Sequence, residues 1–214
     1  MLNYGTVVGR SKLRPIFAEC YGQGVGYMTE KDKMLRGELY NARDPQLEAE
    51  HKRALELCYK YNNANPLDTE GLDKLVRELV HVDGESVTVK QPIRFDYGCN
   101  TYLGNDVYIN YGVMVLDVCE VHIGNGVMIA PGVQIIAATH PVDPSVRAGG
   151  LEFGKPVVIG DNVWLGAGVI VCPGVTIGEG TTIGAASVVT KDIPANCVAV
   201  GNPCKVIKTI CKQE

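Results

Sequence analysis

Large aromatic side chains are scarce in this sequence of 214 residues, which contains one Trp, three Phe and ten Tyr. A core with so few rings must be filled by many small aliphatic residues, and such a composition favours thin, repeated layers. Glycine is abundant at 25 residues, and 46% of the chain is hydrophobic, which excludes a disordered chain. At this length we expect one domain with at most a small appendage.

The sequence also lacks an excess of positive charge, long apolar runs and paired metal ligands. Its formal net charge is −4, which argues against nucleic acid or a membrane surface as the main partner. No apolar run approaches the ~18–20 residues of a membrane-spanning helix. The eight cysteines form no CxxC pair and follow no secretory leader, so we expect reduced thiols in a cytoplasmic protein. No Cys or His lies at zinc-ligand spacing, and we expect no metal.

A period of six residues runs through the second half of the chain. Aliphatic residues recur at every sixth position from Ile159 to Val189, and small or β-branched residues fill the fifth place from Val163 to Ile193. Glycine fills the second place at Gly160, Gly166, Gly178 and Gly184. There we expect a positive φ, because the chain must turn a corner. Period six is typical of a parallel β-helix built from hexapeptide coils.

The period divides the chain into segments. It also fits positions from Leu103 onwards, slips by two residues at 119–120, and resumes at Ile123. We therefore predict a β-helix over residues 83–206, followed by a C-terminal tail at 207–214. Capping signals at Thr29 and at Asp44-Pro45 predict a small helical region over 28–82. Residues 1–27 show no reliable period and are set apart as a leader of uncertain order.

One insertion interrupts the repeat, at residues 139–156. A long loop in an otherwise regular coil is where functional residues are commonly found, because the repeat itself fixes only packing.

The residues in and around this insertion resemble the maltose/galactoside O-acetyltransferases, the sugar branch of the hexapeptide acyltransferases. Matching motifs lie at 28–31, 37–40, 95–98, 138–144, 154–156, 159–166 and 201–207. The similarity spans about residues 28–210. It implies a mainly β fold, a left-handed parallel β-helix with a small N-terminal helical region. It also implies a homotrimer in which acetyl-CoA and a sugar meet between neighbouring subunits.

The activity that this resemblance implies is transfer of acetyl from acetyl-CoA to a hydroxyl of a sugar such as maltose, glucose or a galactoside. By the same resemblance His140 is the catalytic base. Imidazole suits this role because a sugar hydroxyl is a weak nucleophile near neutral pH and needs a base with a pKa near that pH. The thioester is already activated, so we expect direct transfer without an acetyl-enzyme. The backbone N–H of Ala167 is the expected donor to the oxyanion.

Family matching also implies roles for four polar residues. Asn110 and Tyr108 are expected beside the base, with Asn110 in catalysis, and Tyr108, Asp96 and Asp117 are expected to bind the acceptor. Carboxylates and amides suit sugar hydroxyls because they form several hydrogen bonds at once. Asn and Asp are also common at turns, so a purely structural role stays open for each. Glu152, on the same loop as His140, is a candidate to orient or charge-balance the imidazole, or a solvated acid.

The remaining candidates concern the acetyl donor. Trp164 occupies an outward-facing repeat position and is a candidate wall for the pantetheine arm, a trimer contact, or both. The resemblance assigns the cofactor groove to Ala167, Ala185, Thr190 and Lys191. It also matches Lys205 and Lys208 to positions that meet the nucleotide phosphates. The family often has Arg there, and Lys keeps the charge but loses the two-pronged geometry.

Three other functions fit parts of this pattern. A γ-type carbonic anhydrase shares the fold but needs three metal-bound histidines, and only His122 and His140 lie in the coil region. A non-catalytic β-helix that serves as an interaction or ice-binding scaffold predicts regular Thr on one flat face and no long loop, unlike this sequence. A xenobiotic O-acetyltransferase, acting on chloramphenicol or a streptogramin, is the nearest alternative, although such enzymes generally lack a helical leader with the motif of residues 37–40.

Overall fold

A computed structural model of the protein describes residues 27–210, so the expected leader lies outside the described residues except for its last position. The N-terminal elements are α1 (Glu30–Leu35), β1 (Tyr40–Asn41), α2 (Pro45–Asn63) and α3 (Thr69–Leu79). Thr29 and Asp32 form a reciprocal capping box at the start of α1, and the Asp44 carboxylate accepts hydrogen bonds from the first turn of α2. Both caps fall where the sequence predicts helix starts.

The rest of the chain winds into a parallel β-helix, or solenoid, of about six coils. The first three coils contain β2 (His81–Val82), β3 (Val87–Val89), β4 (Ile93–Phe95), β5 (Thr101–Leu103), β6 (Val107–Ile109), β7 (Val113–Leu116), β8 (Val121–Ile123), β9 (Met128–Ile129) and β10 (Gln134–Ile136). The insertion contains β11 (Ala138–Thr139), α4 (Pro144–Ala148) and β12 (Leu151–Gly154). The last coils contain β13 (Val157–Ile159), β14 (Trp164–Leu165), β15 (Ile170–Val171), β16 (Thr176–Ile177), β17 (Thr182–Ile183), β18 (Val188–Val189) and β19 (Cys197–Val200), and β20 (Lys205–Thr209) follows.

Equivalent strands of successive coils stack into three parallel sheets, which form the faces of a triangular prism. Face 1 consists of β2, β5, β8, β13 and β16, and face 3 consists of β4, β7, β10, β15 and β18. Face 2 consists of the parallel strands β3, β6, β9, β14, β17 and β19, with β20 added at its edge. The chain visits the faces in the order 1, 2, 3 in each coil. The turns between them form three edges of the prism, named here corner 1–2, corner 2–3 and corner 3–1.

The predicted six-residue pattern fills the lumen of this prism. The sixth-position aliphatics from Ile159 to Val189 are each at most 1% exposed, and the fifth-place residues from Val163 to Ile193 are at most 5% exposed. Two of the latter are polar, and the Ser187 hydroxyl donates to the Gly184 carbonyl oxygen at 2.6 Å. The sequence-based prediction of a β-helix with a narrow aliphatic core is confirmed.

Glycine is required at the second hexapeptide place for a reason different from the one expected. Their φ values are not positive; the positive φ falls two residues later, at positions such as Asn162 and Ala186. A Cβ on Gly166 would instead lie 2.6 Å from the backbone nitrogen of Ala185 in the next coil. The prediction of positive φ at these glycines is therefore wrong, and close approach between coils is what requires glycine there.

The N-terminal helices share the core of the solenoid. Leu57 and Tyr61 of α2 and Leu79 of α3 are buried in the same cluster as Ile93 and Phe95 of the first coil. Since α2 contacts β4 and α3 contacts β2 and β3, the helices cover the open end of that coil. No helix within residues 27–210 is long and apolar enough to cross a membrane.

The insertion forms a small antiparallel sheet outside the prism. β11 pairs with β12, and β1 adds to the other side of β12, in the order β1–β12–β11. The insertion leaves and rejoins the solenoid at corner 3–1. Val157 still stacks directly on Val121 of the preceding coil, so the solenoid keeps its register across the interruption.

The structure differs from the sequence-based division near the C-terminus. β20 pairs with β19 in antiparallel orientation, with Lys205 opposite Val200 and Lys208 opposite Val198. The expected boundary at residue 206 therefore falls inside a strand, because a turn over 201–204 reverses the chain against its own last coil. Residues 211–214 of the expected tail lie outside the described residues.

Candidate functional site

The predicted site residues form two groups on either side of face 3. Those at corner 3–1 are Asp96, Asp117, His140, Glu152, Thr190 and Lys191; those at corner 2–3 or on face 2 are Tyr108, Asn110, Trp164, Ala167, Ala185, Lys205 and Lys208. Face 3 separates the two groups on one chain. The structure thus places the expected base at the same corner as the acidic residues, and at a different corner from Asn110 and most of the donor candidates.

His140 follows directly after β11 in the inserted hairpin. Ala138 pairs with Gly154 and Thr139 with Phe153, and continuing this register by one residue past the end of β11 brings His140 to the position opposite Glu152. Residues directly opposite in an antiparallel pair point to the same side with Cβ atoms about 4.5–5.5 Å apart. The His140 side chain is exposed, and its imidazole has no hydrogen-bond partner within residues 27–210.

Glu152 is held from its other side by Tyr40, which the sequence reasoning did not assign. Tyr40 of β1 pairs with Glu152 of β12, and its hydroxyl donates to Glu152 Oε2 at 3.2 Å. Tyr40 is 1% exposed. The only sequence signal for it is its place in the family motif at residues 37–40.

A cavity of about 280 Å³ opens beside Glu152. Its lining residues are Tyr40, Ala42, Glu48, His51, Asp96, Tyr97, Val118 and Glu152. Three of these carry carboxylates, from α2, from the turn after β4, and from the hairpin. The His51 Nδ1 lies 2.8 Å from the carbonyl oxygen of Asp96 and fixes the backbone of that turn. Such a lining offers several acceptors to a polyhydroxyl compound.

Asp96 has a perturbed ionisation equilibrium in this cavity. Burial raises its pKa to about 6, the nearby carboxylates of Asp117 and Glu152 also raise it, and His51 partly opposes them. Asp96 is therefore partly protonated just below neutral pH. A carboxyl group in that state can donate a hydrogen bond to a hydroxyl as well as accept one.

Asp117 has a structural position instead. It is fully buried, and its Oδ1 accepts from the N–H groups of Tyr97 and Gly98 at 2.9 and 3.2 Å. Its Oδ2 accepts from the N–H of Asn100 at 3.3 Å and the hydroxyl of Thr101 at 2.9 Å. These four donors occupy the carboxylate, so the expected contact between Asp117 and an acceptor is not open in this arrangement. Asp117 instead orders the turn that carries Asp96.

A row of outward-facing side chains on neighbouring strands crosses face 2. Tyr108 pairs with Met128, and Met128 with Trp164. The row continues through β17 and β19 to Lys208 on β20. Met128 is 53% exposed and Trp164 is 49% exposed, so the predicted outward orientation of Trp164 is seen. Three inter-strand spacings separate Trp164 from Lys208, or about 14 Å. Lys208 has no ion-pair partner in the described part of the chain.

Unused hydrogen-bonding groups lie at corner 2–3, along one side of this row. Asn110 Oδ1 accepts from the Tyr111 N–H at 2.8 Å, and its Nδ2 donates to no group in the described part of the chain. Ala167 is exposed, and among residues 27–210 its N–H donates to no backbone carbonyl, although its own carbonyl accepts from Ala186. An N–H in this state can stabilise a developing negative charge.

Comparison with known proteins places the chain in a family. The model of the maltose acetyltransferase hexapeptide capping motif matches residues 33–83, and that of the bacterial transferase hexapeptide (six repeats) matches residues 156–191. Galactoside O-acetyltransferase of Escherichia coli strain K12 is 38% identical over 183 residues, which cover 86% of this chain and 90% of that protein.

Solved structures agree with this assignment. The maltose O-acetyltransferase from Clostridium difficile 630 superposes with a TM-score of 0.85 at 50% identity, over 86% of this chain and 99% of that one. A hexapeptide-repeat-containing acetyltransferase from Vibrio cholerae O1 biovar eltor, complexed with acetyl coenzyme A, superposes with a TM-score of 0.81 at 32% identity, over 86% of this chain and all of that one. The chain therefore belongs to the maltose/galactoside O-acetyltransferases of the hexapeptide-repeat acyltransferase superfamily, and it is an acetyltransferase.

Proposed function

We propose that the protein transfers the acetyl group of acetyl-CoA directly to a hydroxyl of a sugar, with His140 as the general base. The observation that carries this proposal is the hairpin, in which an exposed imidazole follows β11 directly and Glu152 on the paired strand β12 lines a carboxylate-rich cavity. The donor is supported by the relative that is complexed with acetyl-CoA, and the sugar acceptor by the relatives named galactoside and maltose O-acetyltransferases.

The chemistry follows from these groups. A hydroxyl bound in the cavity gives its proton to the imidazole of His140 while its oxygen attacks the thioester carbonyl. The resulting oxyanion accepts a hydrogen bond from the free N–H of Ala167. When the tetrahedral intermediate collapses, the carbon–sulfur bond breaks, and the departing thiolate takes the proton from the imidazolium. The row from Trp164 to Lys208 runs along face 2, and its length suits a pantetheine arm that ends at phosphates near Lys205 and Lys208.

The protein acts as a homotrimer with sites between subunits. Support comes from the division of the site residues: His140 and Asn110 lie at opposite edges of face 3 on one chain, and a neighbouring copy would bring the two edges together. Apolar side chains are exposed on both edges, with Val142 at 93% on the hairpin and Met128 and Trp164 on face 2. Exposed apolar groups of this kind favour association, and a threefold rotation closes such a head-to-tail contact.

A thiol-release assay tests the base and the acceptor class. With acetyl-CoA and a panel of mono- and disaccharides, amino sugars and chloramphenicol, we expect release with a sugar. The His140→Ala variant should lose turnover by at least ~100-fold while it still binds acetyl-CoA, because only proton removal is lost. The matched control His122→Ala changes an imidazole on face 1 and should stay active. Near-normal turnover of His140→Ala would refute the role of His140 as general base. An isolable acetyl-enzyme would refute direct transfer. Chloramphenicol as the best acceptor would refute a sugar as the acceptor.

Mixed assemblies test whether the sites are shared. Chains with His140→Ala and chains with Asn110→Ala should each be poorly active alone. A mixed trimer contains one contact at which an intact His140 meets an intact Asn110. If the two chains are co-expressed equally and assort at random, three quarters of the trimers are mixed, and about a quarter of wild-type activity should return. Activity that stays at the level of the single variants would refute sites between subunits.

A further inference from the structure

The three-stranded sheet around the hairpin aligns three side chains in one row. Tyr40 on β1 is paired with Glu152 on β12, and the register of β11, continued by one residue, places His140 on the far side of Glu152. Directly paired residues of antiparallel strands point to the same side of a sheet. Tyr40 and Glu152 therefore point to the side of the sheet that borders the acidic cavity, and the continued register places His140 next in the row.

The Tyr40 hydroxyl has a defined role within this row. The ring is buried with Met34, Leu47, Tyr97 and Val118, and the hydroxyl donates to Glu152 Oε2. Burial above all, and then the neighbouring Tyr97 and Glu152, raise the pKa of Tyr40 far above its usual value, so it remains a donor at any working pH. A buried hydroxyl without a partner costs about 1–3 kcal/mol, which holds Tyr40 and Glu152 together.

Further contacts fix β1 against α1 and against the hairpin, at the Tyr40 end of the row. The backbone N–H of Asn41 donates to Glu30 Oε2 of α1 at 2.6 Å. At Gly37 the chain passes so close to the hairpin that an added Cβ would lie 2.8 Å from the carbonyl oxygen of Gly154. The short N-terminal segment therefore docks on β12 through its backbone as well as through Tyr40.

We propose that Tyr40 is a positioning residue for catalysis: it holds Glu152 so that the carboxylate accepts the imidazole N–H of His140. The other imidazole nitrogen is then directed at the acceptor hydroxyl, and the imidazolium that forms is stabilised by the carboxylate. This inference rests on the proposed role of His140 as base. It gives β1 a part in the reaction, while α2 and α3 cover the first coil.

The Tyr40→Phe variant tests this inference, with Tyr61→Phe as a matched control. Tyr61 is equally buried, and its hydroxyl donates to the Val89 carbonyl oxygen at 2.8 Å, away from the hairpin. Tyr40→Phe should lower kcat about tenfold with an unchanged KM for acetyl-CoA, since a hydrogen bond to a charged group is lost. Tyr61→Phe should leave kcat unchanged. Thermal melting establishes that both variants are folded.

Two readouts distinguish positioning from a structural effect. In the double variant Tyr40→Phe/Glu152→Gln, kcat should equal that of Glu152→Gln alone, because Tyr40 acts only through Glu152. The acidic limb of the kcat/KM profile should move to lower pH in Tyr40→Phe, because the imidazolium loses the fixed carboxylate that stabilises it. The other titratable groups facing Glu152 are Glu48 and His51 from α2, and Asp96 and Tyr97 after β4; the four are intact in each variant.

Each other outcome contradicts the inference. Additive losses in the double variant would show that Tyr40 acts through packing. A raised KM for the sugar with an unmoved pH profile would show that Glu152 binds the acceptor instead. An unchanged Tyr40→Phe beside an inactive His140→Ala would refute the positioning role alone, whereas an active His140→Ala would refute the base from which this inference starts.

Discussion

Replacing Asp96 with Asn should stabilise the protein at neutral pH and not in acid. Folding raises the pKa of this carboxyl from 3.8 to about 6, mainly through burial. A shift of about two pKa units corresponds to about 3 kcal/mol, and solvent screening of this half-buried group reduces it to about 1–2 kcal/mol. The native state binds the proton more tightly than the unfolded state. The free-energy cost of burying an ionised Asp96 is therefore absent below about pH 4. It grows between pH 4 and 6 and is constant above pH 6.

Urea unfolding at fixed protein concentration, at pH 4 and at pH 8, measures this effect. Asp96→Asn should raise the free energy of unfolding by about 1–2 kcal/mol at pH 8 and change it little at pH 4. Glu56→Gln, which removes one charge from an exposed position of α2, should change it little at either pH. An equal gain for Asp96→Asn at both pH values, or none at pH 8, would refute the argument that burial raises this pKa. Since Asp96 lines the cavity, the variant should also bind acceptor more weakly.

Two further predictions concern Trp164 and Asp117. Trp164→Ala should raise the KM for acetyl-CoA about tenfold, because apolar contact with the donor is lost. The control Tyr102→Ala removes an outward-facing aromatic ring from face 1 and should leave this KM unchanged. Equal effects of the two variants would count against Trp164 as a wall of the donor groove. Asp117→Ala should lower the free energy of unfolding by about 3 kcal/mol or more in urea titration, because several buried donors lose their acceptor; an unchanged midpoint would contradict the structural role of this carboxylate.

The parts of the fold that depend on local pattern could be predicted from the sequence. Burial at every sixth position follows from the repeat because each coil adds the same turn to the same lumen. The caps at Thr29 and Asp44 follow from the side chains themselves. The outward position of Trp164 follows from its place in the hexapeptide, beside the buried Leu165.

The parts of the structure that depend on contacts between distant segments could not be predicted from the sequence. Tyr40 and Glu152 are 112 positions apart, and only the docking of β1 on the hairpin joins them. The need for Gly166 depends on the backbone of the next coil rather than on its own φ. The sequence draws attention to Asp117, but its hydrogen-bond partners could not be predicted, because they lie in the turn before Thr101 and meet Asp117 only in the folded chain. The division of site residues between two edges of face 3 likewise requires the three-dimensional order of the faces.

The antiparallel direction of β20 limits how the coils of two molecules could stack end to end. A stack of identical coils has two open ends, and each exposes unpaired backbone groups on which the coil of another molecule could continue the stack. At the last coil, β20 occupies the edge of face 2 with a reversed strand that carries Lys205 and Lys208. At the first coil, α2 and α3 cover the other end. A sequence that is repetitive enough to form a fibre is thereby confined to a particle of fixed length, and the lysines at its end add the like-charge repulsion that discourages end-to-end growth.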